Sequence, residues 1–217
     1  MYHNNLRSTV EQHERSCYYL LVSKGERTRT AILDRATGLA SQLGLTGLTI
    51  GALAAELRLS KSGLFAHFQS KEALQIEVLE HAARRFTETV VRPALHEPRG
   101  APRMQALFER WIAWERDEAL PGGCIFVAAT AELDDRPGPV RDRLVALQRD
   151  WISVLATSVR KGIEAGLFRA DADPEQLAQD TYGVMLALHF HSRLMGDSRA
   201  EARAHRAFAA LLAQAAA

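Results

Sequence analysis

The segment SKSGLFAHFQSK, residues 60 to 71, sets Lys61, Ser62, Gly63, Phe65 and His67 on one side of a short stretch and closes with Lys71. Cations, hydroxyls and an imidazole can meet phosphate oxygens and base edges, and a glycine lets backbone approach them closely. Phe65 can pack on a sugar or a thymine methyl. The chemistry on offer is recognition rather than bond making. Candidates for bond making are poor elsewhere. Ser158-Val159-Arg160-Lys161 matches the S-x-x-K pattern of a penicillin-recognising nucleophile, yet it falls mid-helix and neither S-D-N nor K-T-G follows. His189 and His191 are two apart and fall on different helix faces, unlike a zinc pair. No phosphate loop, dinucleotide fingerprint or H-E-x-x-H occurs. Asp134-Asp135 reads as solvated loop charge. The expectation is no enzyme, no metal and no cofactor.

Residues that read a groove must be held by helices. Thr49 can cap one, with Ile50, Leu53, Ala54 and Leu57 recurring at i, i+3, i+4, i+7. Ser60 can cap a second, and Leu59 and Leu64 stand at hydrophobic-staple spacing around that cap. Leu64 and Phe68 share its inward face. Two helices this short need a third to pack on. The preceding segment supplies it: Lys24, Arg27 and Arg29 at its start, then Ile32, Ala36, Leu39 and Leu43 on one stripe, then Gly44 as C-cap. From Lys24 to Lys71 there are seven Lys and Arg against Glu26, Asp34 and Glu56, a net of +4 where the whole chain carries +1. One end is therefore suited to phosphates while the remainder is acidic on balance.

This stretch resembles the amino-terminal domain of the TetR family of transcriptional repressors. The run Thr49-Ile50, Ala54, Leu57, Ser60-Lys61, Gly63-Leu64-Phe65, His67-Phe68 and Lys71-Glu72 carries the likeness, which covers about residues 24 to 90. GGCIFVAATAE (122 to 132) looks like one branch of the family, a weaker match. Phe65 departs from the family, which often has tyrosine there. The resemblance implies a bacterial homodimer that binds a near-palindromic operator and lets go when a ligand occupies the carboxy-terminal domain. It also implies DNA contacts at Thr28, Thr49, Ser60, Lys61, Ser62, Gly63, Phe65, His67 and Lys71, with Thr28 and Thr49 at the amino ends of the first two helices.

The whole chain is expected to be all-α: an N-terminal three-helix helix-turn-helix DNA-binding domain at 24–71, then a larger helical ligand-binding and dimerisation domain at 72–217. Residues 1–23 read as a leader, weakly ordered or forming an extra helix. Hydrophobic residues make up 47%, enough for a core, while aromatics at 7% and abundant Ala favour close-packed helices over sheet. No apolar run reaches membrane-spanning length, and no signal peptide is evident. Cys17 and Cys124 give neither a disulfide framework nor zinc spacing, so a reduced cytoplasm is the default. Ser70 can cap a helix ending near Arg92-Pro93; further helices follow the breaks at 96–102, 121–123 and 134–139, with a long one over 140–165 and Pro174 opening the next.

Met104, Phe108, Trp111, Trp114, Cys124, Phe126, Tyr182, Met185 and His189 are the candidate lining of a pocket for a mostly apolar, unidentified small-molecule effector. Glu115 and Glu118 read as solvent-facing. Leu155, Val159, Ile163, Tyr182, Leu186 and Phe190 are the candidate dimer interface, since the last two long helices are apolar on more than one face. Two alternatives stand beside this reading. Cys124 could sense oxidants, or the chain could be an all-helical ligand-binding protein or hydrolase without DNA function.

Overall fold

The computed structural model describes residues 24–217. The leader and Cys17 lie outside the described residues. In chain order the helices are α1 (Lys24–Gly47), α2 (Ile50–Leu57), α3 (Lys61–Phe65) and α4 (Lys71–Phe86). A π-helical turn, Thr87–Val91, joins α4 to α5 (Arg92–Leu95). Then come α6 (Ala101–Glu115), α7 (Ile125–Leu133), α8 (Pro139–Glu164), α9 (Pro174–Arg193) and α10 (Ala200–Ala215). Among the described residues no strand forms; Phe168 and Ala216 make an isolated antiparallel bridge.

The expected caps are in place. Thr49 Oγ1 accepts the Ala52 N–H at 3.0 Å, Ser60 Oγ accepts Gly63 N–H at 3.0 Å, and Ser70 Oγ accepts Ala73 N–H at 3.0 Å. Asp173 does the same for Glu175 and Gln176 ahead of α9. Each cap satisfies a donor that the helix cannot, worth about 1 kcal/mol. Gly44 breaks α1 at φ 76°, ψ 161°, the left-handed side that favours glycine.

Two sequence expectations shift. The buried stripe of α1 is Ile32, Leu33, Ala36 and Ala40, whereas Leu43 is exposed because the chain turns at Gly44. The helix from Ser70 does not stop at Arg92-Pro93. Helical winding goes on through the π-turn to Leu95, with Pro93 in the first turn of α5 directly after it. In the widened turn before it, the Thr87 and Thr89 hydroxyls donate to Ala83 O (2.9 Å) and Arg85 O (2.8 Å).

Ile50 and Leu53 of α2, Leu64 of α3, Phe68, and Leu74 and Val78 of α4 close the small amino-terminal core over α1. This head is bound to the body chiefly where α1 packs on α4 and α7. A Cβ on Gly122 would lie 1.7 Å from Ser41 O, and one on Gly38 would lie 2.8 Å from Ala119 O. Both glycines are therefore dictated by close backbone approach, and the Gly122 N–H donates to Ser41 Oγ at 3.0 Å. In the body, α8 and α10 flank α9.

Candidate nucleic-acid interface and internal cavity

The α2–α3 turn is made by Arg58 in the left-handed conformation (φ 53°, ψ 37°), its N–H returned to Ala54 and Ala55 carbonyls. Leu64 is fully buried beneath α3, while Leu59 stays half exposed and staples little. That leaves Lys61, Ser62, Gly63, Phe65 and Ala66 exposed on one outward surface, with His67 half-buried beside them. Phe65 is 52% exposed, a large ring with no partner of its own to cover it. Thr49 and Ser60 are exposed as well; the Thr49 oxygen accepts a cap bond, so its O–H remains able to donate outward, while the Ser60 and Ser62 hydroxyls share a hydrogen bond at 3.2 Å. Thr28 is exposed, but α1 already includes Lys24, so Thr28 lies a turn inside the helix and not at its first residue.

Charge is sorted within this head. Arg29 donates to the His67 carbonyl at 2.7 Å, pairs with Glu77 and lies 5.0 Å over the Phe68 ring, so it fastens α1 to the end of α3 and to α4. Arg35 pairs with Glu56. Lys71 Nζ donates to Thr46 O at 2.6 Å, which ties it to the α1–α2 bend. Lys61 and Arg58 are exposed and make no ion pair with a described carboxylate.

A cavity of about 220 Å³ opens between α4, the π-turn, α6, the start of α7, α8 and α9. Four of the nine residues expected to line it do so: Trp111, Cys124, Phe126 and Tyr182. Five do not. Met104 is buried in the core, and Phe108 stacks on Phe208 of α10 at 4.1 Å. Trp114 packs edge-on to Phe86 from outside the lining, Met185 is fully buried, and His189 turns to Glu115. Four of these five are buried in the core, and His189 is half-buried beside Glu115. The lining instead takes in Phe86, Thr87 and Val91 before α6, and Leu147, Gln148 and Trp151 of α8. None of these is among the pocket residues expected from the sequence. One signal was present: Gln148 is a polar residue inside the apolar run Leu144, Leu147, Trp151.

Apart from Asp150 at the rim, the polar groups of the cavity are few and tied. Tyr182 Oη donates to Gln148 Oε1 at 2.8 Å, and Gln148 Nε2 donates to Phe126 O at 3.3 Å. Burial pushes the Tyr182 phenol up, and the charge that Cys124 would carry adds to this. Burial also pushes the Cys124 thiol up to about 12, against the weaker lowering influence of the Val127 backbone. Cys124 is therefore a neutral thiol in the cavity wall, the opposite of the exposed low-pKa thiolate that oxidant sensing needs.

Glu115 is buried, contrary to its expected exposure. Its carboxylate accepts the Cys124 N–H at 2.8 Å and His189 Nδ1 at 2.9 Å, and Arg193 Nε lies 3.9 Å away. Arg193 also donates to the carbonyls of Gly122 (3.0 Å) and Pro121. The turn that rests on α1 is thus clamped by the end of α9. Glu132, at the far end of α7, accepts the Leu45 N–H (3.1 Å), the Thr46 N–H (2.8 Å) and the Thr46 hydroxyl (2.6 Å). Sequence reading passed over Glu132, because nothing local marks a carboxylate whose partners lie more than eighty residues away.

The dimer candidates divide. Leu155 and Val159 are completely buried inside the protomer, so they cannot face a partner; near-heptad spacing reported an internal seam. Tyr182 lines the cavity and Ile163 is half-buried. Leu186 and Phe190 are exposed on α9, Phe190 at 47%, in line with Gly183 and Leu194.

Residues 32–78 match the family described as bacterial regulatory proteins, tetR family, and residues 100–208 match the tetracyclin repressor-like, C-terminal domain. The HTH-type transcriptional repressor DhaR of Mycobacterium sp. (strain GP1) is 26% identical over 153 residues, covering 69% of this chain and 74% of that protein. A TetR transcriptional regulator from Chloroflexus aurantiacus J-10-FL shares the fold with a TM-score of 0.77 at 25% identity, over 88% of this chain and 94% of that one. AibR, solved in complex with isovaleryl coenzyme A and operator DNA, shares it at 0.68 and 22% identity, over 85% of this chain and 98% of that one. A basic three-helix head on an α-helical body, with both parts matched separately, leads to one conclusion: the chain belongs to the TetR family of bacterial transcriptional regulators.

Proposed function

We propose that the protein is a homodimeric repressor whose two α3 helices enter major grooves on one face of an operator, and which lets go when a mostly apolar effector fills the cavity. It acts by binding and not by catalysis, where the chromosome is, in the cytoplasm. The supporting observation is α7. Phe126 at one end lines the cavity, and Glu132 at the other holds the backbone that enters α2. A ligand that displaces the first turn of α7 therefore moves the bend on which the reading helices are hung. AibR, of the same fold, has been seen with a ligand and an operator together.

In this reading Lys61 and Arg58 supply phosphate charge, and Thr49, Ser60 and Ser62 supply hydroxyl donors. Gly63 permits close approach, Phe65 meets sugar or a thymine methyl, and His67 donates to a phosphate. Lys71 and Thr28 contribute less, the first through its tie to Thr46, the second through its place inside α1. Lys61→Ala is expected to weaken binding to all duplexes and to reduce the slope of log affinity against log salt by about 1. Fluorescence anisotropy across a salt series measures this; an unchanged slope removes Lys61 from the contacts.

One short helix reads few base pairs, so two heads about 34 Å apart are needed for a useful site. We assign the pairing face to the exposed strip Gly183, Leu186 and Phe190 of α9 with Leu194 just after it, met by the same strip of a second copy. Phe190→Glu puts a charge into the centre of that face and is expected to cost about 2 kcal/mol or more of dimer stability. Light scattering at micromolar concentration should then give the monomer mass, with the wild type giving twice that. Selection of duplexes from a random pool tests the function as a whole: a two-fold symmetric consensus is expected, and retention of no duplex at low salt would end the proposal.

A further inference from the structure

A second opening adjoins the cavity. It is a cleft of about 170 Å³ whose walls include Arg103, Lys161, Ser153, Thr157 and Ser158 and no carboxylate. The two spaces share a wall residue, Val154. They also follow one another along the same elements. The first helical stretch passes from Phe86 and Val91 at the cavity to Leu95 at the cleft. α6, running the opposite way, passes from Trp111 to Arg103. α8 passes from Trp151 through Val154 to Lys161. At 1.5 Å per residue the last of these spans about 15 Å. Apart from Asp150 at its rim the cavity is apolar with tied polar groups, whereas the cleft offers two cations and the hydroxyls of Ser153 and Thr157, that of Ser158 donating to Val154 O at 2.8 Å.

We propose that cavity and cleft form one channel for an anionic amphiphile, with a hydrocarbon or ring body among Phe86, Trp111 and Trp151 and a phosphate or carboxylate head between Arg103 and Lys161. The proposal rests on the reading of the cavity as the effector site and fixes what that effector carries. Orientation is set by Asp150. This exposed carboxylate on the cavity rim rejects an anion there and leaves the cleft as the place for the head. The present partners of the cations are local and displaceable. Lys161 pairs with Glu164 one turn along α8 at 2.7 Å, and Arg103 donates to the Glu97 carbonyl. Exposed pairs of this kind hold weakly.

Calorimetric titration of the full chain with octyl phosphate, octanoate, octanol and inorganic phosphate tests the channel. Octyl phosphate is expected to bind about tenfold tighter than octanol, through charge-assisted bonds that octanol cannot make, with octanoate between them. Inorganic phosphate should bind weakest, lacking the body. In Arg103→Gln/Lys161→Gln, two substitutions outside the core, both anions should fall to the octanol value while octanol is unchanged. Val154→Trp, at the junction, should exclude octyl phosphate. Equal affinity for octyl phosphate and octanol overturns the proposal and leaves the cavity standing; so does an anion advantage that survives the double substitution. Failure of octanol and both anions alike removes the cavity as an effector site together with the channel.

Discussion

Glu132→Ala is expected to uncouple the two halves of the protein. Three donors lose their acceptor at once: the N–H groups of Leu45 and Thr46 and the Thr46 hydroxyl. They sit at the bend after Gly44, where the chain has left one helix and not yet entered the next, so no helix carbonyl replaces the carboxylate. Part-buried donors stripped of a charged acceptor cost about 2 kcal/mol in all. The larger effect is on regulation. Coupling between effector and DNA sites in such proteins is of the order of 1–3 kcal/mol. If α7 carries it, the ratio of operator affinities without and with effector should shrink about tenfold or more. Anisotropy titrations with and without a stabilising ligand read that ratio directly. A variant that melts lower yet keeps the full wild-type ratio would show that the coupling runs elsewhere, through Arg193 and the Gly122 turn.

Gly122→Ala, in the turn that rests on α1, should cost more stability than Gly38→Ala, the other close approach across the same contact. The added Cβ lies 1.7 Å from Ser41 O and 2.0 Å from Ser41 C, which are backbone atoms of a helix and cannot swing aside as a side-chain tip can. Either the turn lifts from α1 or the helix bends. Lifting also breaks the Gly122 N–H bond to Ser41 Oγ and disturbs the two carbonyls that Arg193 holds. Overpacking at a rigid contact costs about 3 kcal/mol, which for a chain of this size lowers Tm by roughly 6–12 °C. Thermal denaturation followed by circular dichroism checks the figure; a Tm within about 2 °C of wild type would mean that the two backbones do not meet so closely. Gly51→Ala serves as the control, because its Cβ comes nearest to the Lys61 stem, at 3.5 Å, an ordinary contact.

The head was legible in the sequence because its determinants are local. Thr49, Ser60 and Ser70 bond to groups three residues ahead, and Gly44 turns the chain by its own φ. The cavity was only partly legible. An apolar helix face looks the same whether it meets another helix or an empty space, so Met104 and Phe108 read like Trp111 and Phe126. The mistaken dimer residues have the same cause: Leu155 and Val159 lie on the better seam of α8, and the better seam went inside. Glu115 and Glu132 were missed for a different reason. A buried carboxylate is acceptable only where several donors converge, and those converge from the ends of distant helices that periodicity does not bring together.

The π-turn at Thr87–Val91 holds a surplus residue within one helical coil, between the amino-terminal head and Pro93. Regular winding restored there would lengthen the rod by about 1.5 Å and rotate what lies on one side by roughly 100° of helical phase. Thr87 and Val91 also belong to the cavity wall. Girth of the hollow and length of the connecting rod are therefore written into the same five residues, so neither can be adjusted without the other.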